Sequence, residues 1–244
     1  MSAADDILFK QPESHHLGDC PICCLPLPLG ASYGFKYGFT LNSCCSKYVC
    51  NGCKWANAML EYEGRLQFKC IFCRTVGIQN EAESIERMMK RIEANDPVAM
   101  CRMGVKRMQE DDYKAAFEYM ARAAALGDAG AHYGLSILYE EGVGVEKDEK
   151  KELHHLEEAA IAGHLDARHY LGNKEVGRSR MDRAAKHFII AAKLGYEKSL
   201  KKVKSLYEAG HVSKDDFSAA LRGYQAAVAA MESPQREEFR EFGE

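Results

Sequence analysis

From residue 81 onward the apolar residues recur at helical intervals. In Glu81 to Glu93 the positions Ile85, Met88, Met89 and Ile92 fall on one face, which predicts a helix over 81–94. Asn95-Asp96-Pro97 then closes one helix and opens another, with Asp96 as N-cap and Pro97 in the first turn. Beyond it the pattern repeats. Paired alanines stand at 123–124, 159–160, 191–192 and 226–227, and a glycine follows three residues later at 127, 163 and 195. A second marker runs through Ala99, Ala131, Ala167 and Ser199, with Met103, Leu135, Leu171 and Val203 four residues on. Spacings of 32 to 36 residues predict stacked two-helix units over 95–231. Small residues let the paired helices approach. Each glycine supplies the left-handed residue that ends a helix. Asp112, Asp148 and Asp215 are placed to cap second helices.

The first third has no such rhythm. It is rich in Cys, Gly, Pro and aromatics, and the Leu25, Leu27, Leu29, Phe35, Phe39 and Phe68 side chains predict a minor core there. Nine of the ten cysteines lie between Cys20 and Cys73. Residues 1–16 carry Asp5 and Asp6 and lack the apolar stretch of a secretion signal, so a reducing compartment, cytoplasmic or nuclear, is expected. In such a compartment clustered cysteines bind metal in preference to forming disulfides. Cys20-Pro-Ile-Cys23, Cys50-Asn-Gly-Cys53 and Cys70-Ile-Phe-Cys73 are three Cys-x-x-Cys knuckles, and Cys44-Cys45 lies between the first two. Eight thiolates suffice for two closed, four-coordinate zinc sites, which are structural because no position is left for water. Cys24 and Cys101 read as small buried hydrophobes, and His15 and His16 as part of a tail.

Composition removes several function classes. A net charge of −3 gives no electrostatic basis for binding nucleic acid. No apolar run is long enough to span a membrane. Neither a Gly-x-Ser-x-Gly elbow nor a phosphate loop is present, and Gly142-Val-Gly144 is a repeat loop with no strand before it.

Two resemblances follow from these residues. The string Ala131, Leu135, Tyr139, Gly142, Gly144, Val145, Asp148, Ala159, Ala160, Gly163 resembles the Sel-one-like repeat, a relative of tetratricopeptide repeats. Ser136 stands where that family has glycine, which Gly104 and Gly172 keep, and only the second unit has the Gly-x-Gly-Val loop. The resemblance implies a scaffold for protein complexes. The cysteine pattern resembles a RING-type zinc finger. That family interleaves its pairs, which implies one site from Cys20, Cys23, Cys50 and Cys53 and another from Cys44, Cys45, Cys70 and Cys73. Lys47 stands at the usual histidine position, and Cys44 would take that role as in all-cysteine variants. The family's docking features for a ubiquitin-conjugating enzyme map to Ile22, Trp55 and Arg74, while Ile71 replaces a common proline.

The predicted architecture is thus a small zinc-stabilised α+β RING-like domain followed by an all-α solenoid of helical hairpin repeats. Its parts are a disordered tail (1–17), the finger (18–80), a linking helix (81–94), about four repeats (95–231) and a charged tail (232–244). The partners expected are proteins, with His132, Tyr133, Arg168, His169, Lys201 and Lys202 as candidate repeat contacts. Two functional readings stand at this stage: a RING-type ubiquitin ligase with no covalent catalytic residue, or a non-catalytic adaptor whose zinc only folds the first module.

Overall fold

The computed structural model describes residues 3–29, 38–64, 69–77 and 80–242. Phe35 and Phe68 of the expected minor core lie outside them. The chain divides into two compact units, each made of two separated stretches: Met1–His16 with Met100–Val228, and Leu17–Ala99 with Ala229–Glu244.

The first unit is the repeat stack. Its helices are α4 (Pro97–Gln109), α5 (Tyr113–Ala125), α6 (Ala129–Glu141), α7 (Glu149–Ile161), α8 (Leu165–Gly177), α9 (Met181–Lys193), α10 (Glu197–Glu208) and α11 (Lys214–Ala230), preceded in sequence by the short α1 (Ala3–Leu8). The alanine and serine markers and the residues four positions after them are all buried. They are small where helices cross and branched or long where cores fill. Gly127, Gly163 and Gly195 take φ of 84°, 84° and 91°, the left-handed conformation that ends α5, α7 and α9. Asp112 and Asp148 cap α5 and α7. Asp215 does not cap α11. The helix starts two residues earlier than that role requires, and Ser213 accepts the Asp216 N–H instead, at 3.0 Å.

Within the stretch expected as a disordered tail, residues 3–16 include helix α1 and pack on the repeats. Leu8 is buried with Leu156, Ala159, Ala160, Ala167 and Leu171, and His15 is buried as well. Packing of one leucine into the α7–α8 core outweighs the polar composition around it.

The second unit has a two-stranded antiparallel sheet, β1 (Phe39–Asn42) and β2 (Lys47–Cys50), paired from Phe39↔Cys50 to Asn42↔Lys47. Helix α2 (Asn51–Tyr62) follows at once, then α3 (Glu81–Glu93) and, from the far end of the chain, α12 (Pro234–Phe242). Among its described residues one apolar cluster gathers Cys20, Leu27, Val49, Cys50 and Cys53, with Phe39, Tyr48 and Ile71 packed against it. Three of the five buried members are cysteines. Helix α3 is capped by Asn80, and Asp96 accepts the N–H groups of Val98 and Ala99 to start α4. The charged tail expected at 232–244 is also an element of this unit. Helix α12 packs on α2, and its Arg236 is 5% exposed.

Candidate metal centres

Each cysteine pair is presented by a different local device. Cys20 and Cys23 sit in a turn closed by the bridge Asp19↔Pro26, with the Cys20 N–H on the Leu25 carbonyl (2.9 Å) and the Cys24 N–H on the Cys20 carbonyl (2.8 Å). Cys70 and Cys73 sit in a turn of the same construction, closed by Lys69↔Val76, with the Cys70 N–H on Thr75 (2.6 Å) and the Arg74 N–H on Cys70 (2.9 Å). In both turns the residue after the second cysteine is left-handed: Cys24 at φ 54° and Arg74 at φ 62°. Cys44 and Cys45 occupy the tip of the β-hairpin, where the Cys45 and Ser46 N–H groups both reach the Asn42 carbonyl. Cys50 ends β2 and caps α2, its sulfur accepting the Cys53 N–H at 3.4 Å.

These devices converge on two quartets. The sulfurs of Cys20, Cys23, Cys50 and Cys53 lie within 4.8 Å of one another, and so do those of Cys44, Cys45, Cys70 and Cys73. The chain visits the quartets alternately. The β-hairpin links them, its ladder holding Cys50 at one end and the turn with Cys44 and Cys45 at the other. Sulfur separations are 3.9 Å for Cys23–Cys50, 3.9 Å for Cys45–Cys70 and 3.4 Å for Cys44–Cys73. A tetrahedral ion with metal–sulfur bonds near 2.3 Å sets its ligands about 3.8 Å apart. Each quartet can therefore hold a metal ion.

The thiols of each quartet titrate as coupled groups: burial pushes Cys53 up to about 12 and Cys45 up to about 11, while the hydrogen bond with Cys50 draws Cys20 down to about 4 and those with Thr75 draw Cys73 down to about 6 against burial. Thiols this close do not ionise together unless a cation sits among them. One cation is already nearby. Arg236 places Nη2 3.4 Å from the Cys23 sulfur and donates through Nη1 to the Pro26 carbonyl at 2.8 Å. Sequence reasoning missed Arg236, whose surroundings in the chain are those of a solvated segment.

Cys24 is exposed, stands outside both quartets and is not the buried hydrophobe expected. The left-handed turn that aims Cys23 at the quartet leaves its neighbour outside. Ile22 is 40% exposed, and Phe72, at the same place in the Cys70 turn, is 42% exposed. Phe72 was also missed, though the shared offset from each first cysteine could have flagged it. Arg74 is exposed. Trp55 is half-buried, its ring 6.2 Å from that of Phe239 on α12.

Among the repeat candidates, Lys201 and Lys202 are exposed, Lys201 paired with Glu197 at 2.7 Å. His132 lies with its Nδ1 3.0 Å from that of His155, Tyr133 stacks on His164 at 4.5 Å, and His169 reaches the Ser199 hydroxyl at 2.9 Å. These three are engaged inside the stack. Arg168 is not a surface contact at all: it is 2% exposed and donates to the Leu8 and Ala160 carbonyls.

The Sel1 repeat family matches residues 97–128, 129–164 and 166–196, which are the hairpins α4–α5, α6–α7 and α8–α9. Residues 97–196 carry Sel1 repeats. A Sel1 repeat protein from Oxalobacter formigenes is similar at 26% identity and a TM-score of 0.53, over 72% of each chain. A protective antigen of uropathogenic Escherichia coli with an SLR fold is similar at 21% identity and a TM-score of 0.49, over 68% of this chain and 37% of that one. The present chain thus spans little more than a third of that antigen. No curated protein matches. Sel1 repeats point to protein–protein interaction. No helix among the described residues is long and apolar enough to cross a membrane.

Proposed function

We propose that the second unit is a two-zinc, RING-like module that docks a ubiquitin-conjugating enzyme, and that the Sel1 repeats recruit the protein to be modified. The observation that carries the reading is the alternation of two all-sulfur quartets along one hairpin, with sulfur spacings suited to zinc. The ligands would be Cys20, Cys23, Cys50 and Cys53 for one ion and Cys44, Cys45, Cys70 and Cys73 for the other. Zinc held by four thiolates serves the fold alone. The site residues would be Ile22 and Phe72 as apolar contacts, with Arg74 gripping the conjugating enzyme and ubiquitin together. Such a module contributes no nucleophile. It holds the charged enzyme in a reactive geometry, so its effect is positioning and electrostatic. The thiolates need a reducing compartment.

A non-catalytic adaptor is the second reading. It draws support from Trp55, one of the expected docking residues, which is turned toward Phe239 within its own unit. The test is discharge of ubiquitin from a panel of charged conjugating enzymes by the zinc-loaded chain. Acceleration with at least one enzyme supports the ligase. Acceleration with none leaves the adaptor.

A further inference from the structure

Segment 3–16 is seated on the repeats as a ligand would be. Asp5 pairs with Arg183 of α9, which also faces Glu175 of α8 at 3.5 Å. Leu8 fills the apolar site between α7 and α8. The Phe9 ring lies 4.9 Å from the Arg183 guanidinium, 5.2 Å from the Lys186 ammonium and 4.7 Å from the His187 ring. Beyond them, the Gln11 amide donates to the Ile190 carbonyl at 3.4 Å, and the His16 N–H to the Gly163 carbonyl at 3.1 Å.

The receiving surface is built for this. Arg168 is a buried cation whose hydrogen bonds both go to backbone carbonyls, one of the stack (Ala160) and one of the segment (Leu8). A buried guanidinium without a carboxylate is costly unless each donor is satisfied. Its Nη1 is aimed at the Leu8 carbonyl, a place that the backbone carbonyl of another bound segment can fill. His187 is buried beside Phe9, and neither ring nitrogen has a hydrogen bond among the described residues. The ligand side is compact in sequence: the main anchors fall within residues 5–9.

We propose that the surface of α7, α8 and α9 is a docking site for a short helical partner segment carrying an acidic residue followed, three and four positions on, by Leu-Phe. Residues 3–16 occupy it as an internal competitor. This is the helix-in-groove mode, in which a few side chains of one short helix carry recognition. Charge complementarity selects the partner: Arg168, Arg183 and Lys186 on the receptor face, an acid and a carbonyl on the ligand. Because the competitor is part of the chain, it acts at a fixed effective concentration. A partner's apparent affinity is then reduced by the fraction of chains with an open groove. The inference rests on the recruiting role of the repeats and gives that role a chemistry.

The probe is a fluorescein-labelled peptide with the sequence of residues 3–16, measured by anisotropy against the full zinc-loaded chain. Phe9→Ala in the chain should open the groove while helical circular dichroism is kept, and Leu8→Asp with Phe9→Ala should open it further. Each variant should bind the peptide at least tenfold more tightly than wild type. A peptide with Asp5→Lys should bind at least tenfold more weakly than the parent and recover against a chain carrying Arg183→Glu with Phe9→Ala. A folded Phe9→Ala chain that binds the peptide no better than wild type overturns the proposal. A wild-type chain that dimerises by exchanging its own segment assigns the groove to a second copy and overturns the partner reading. A partner captured by the repeats in a pull-down, with no peptide binding, overturns the groove and leaves the recruiting role standing.

Discussion

The guanidinium of Arg236 lies against the sulfur of Cys23, Nη2 to Sγ 3.4 Å, across 213 positions of sequence. A divalent ion among four thiolates leaves a net charge of about −2 in a poorly solvated place. A buried arginine offsets that charge and fixes the Cys23 turn through the Pro26 and Leu25 carbonyls. Partners of this kind typically govern metal affinity by about 10–100-fold. Arg236→Met should therefore speed metal loss from the Cys20–Cys53 quartet by about tenfold and leave the other quartet unchanged. Chelator competition on the purified protein would resolve the two phases. Equal acceleration of both would show that Arg236 acts on the whole unit rather than on one site.

Gly52 makes that contact available. A Cβ at this position would stand 2.8 Å from the Arg236 nitrogen and 2.8 Å from the Gln235 carbonyl oxygen. Both are backbone atoms, so relief requires moving α12. Gly52→Ala should destabilise the second unit by about 1–3 kcal/mol, as overpacking does, and reproduce part of the Arg236→Met metal loss. Denaturant midpoints followed at Trp55, which packs toward Phe239, would report it.

What the sequence discloses and what it hides divide along contact distance. The repeat helices are legible because their signals are local: Ala159-Ala160 and Gly163 lie within one turn of the helix end they specify. The knuckles are legible for the same reason, whereas the pairing of Cys44 and Cys45 came only from a resemblance. The two terminal segments are not legible. Leu8 meets Leu156 and Arg236 meets Cys23, and nothing near Leu8 or Arg236 in sequence announces either partner. Acid-rich strings such as Glu237-Glu238 read as solvated, yet a single inward face of α12 suffices to bury Arg236. Helix α2 is not legible either, because its cap is Cys50 rather than Ser, Thr or Asp.

The two units should respond differently to metal removal. The stack has its own apolar clusters, centred on Phe188, Ala192 and Val203 and on Leu156, Ala160 and Leu171. In the second unit three of the five buried members of the cluster around Leu27 and Val49 are cysteines, and structural zinc supplies on the order of 10–16 kcal/mol to folds built around it. Strong chelator should unfold the second unit, seen as a shift in Trp55 fluorescence, while most far-ultraviolet helical signal remains. Loss of the entire helical signal would mean that α4–α11 depend on the metal sites.

Acid should weaken the repeat stack in a defined window. Burial lowers His164 to about 3; it lowers His187 to about 3 as well, helped by Arg168 and Arg183. Burial also lowers His155 to about 4, helped by His132 and His154. In the unfolded chain these rings titrate near the ordinary value of about 6.5. Between the folded and unfolded values the unfolded state binds more protons, so stability falls as pH falls through 6.5 toward 3 or 4 and is fully present above 6.5. Each ring contributes up to about 1.4 kcal/mol per pH unit inside its window. Asp128 and Glu157, whose carboxyls burial raises, oppose the trend. Urea midpoints of the helical signal, taken with metal chelated at every pH so that thiolate protonation drops out, should decline steadily from pH 7 to pH 5. His164 also caps α8, its Nδ1 accepting the Ala167 N–H at 3.3 Å. Asparagine can keep that cap without titrating. His164→Asn should accordingly flatten the decline while leaving the stack helical at pH 7. Parallel decline of the two proteins would remove His164 from the acid response and leave it to the other rings that burial lowers, among them His187, His155 and His16.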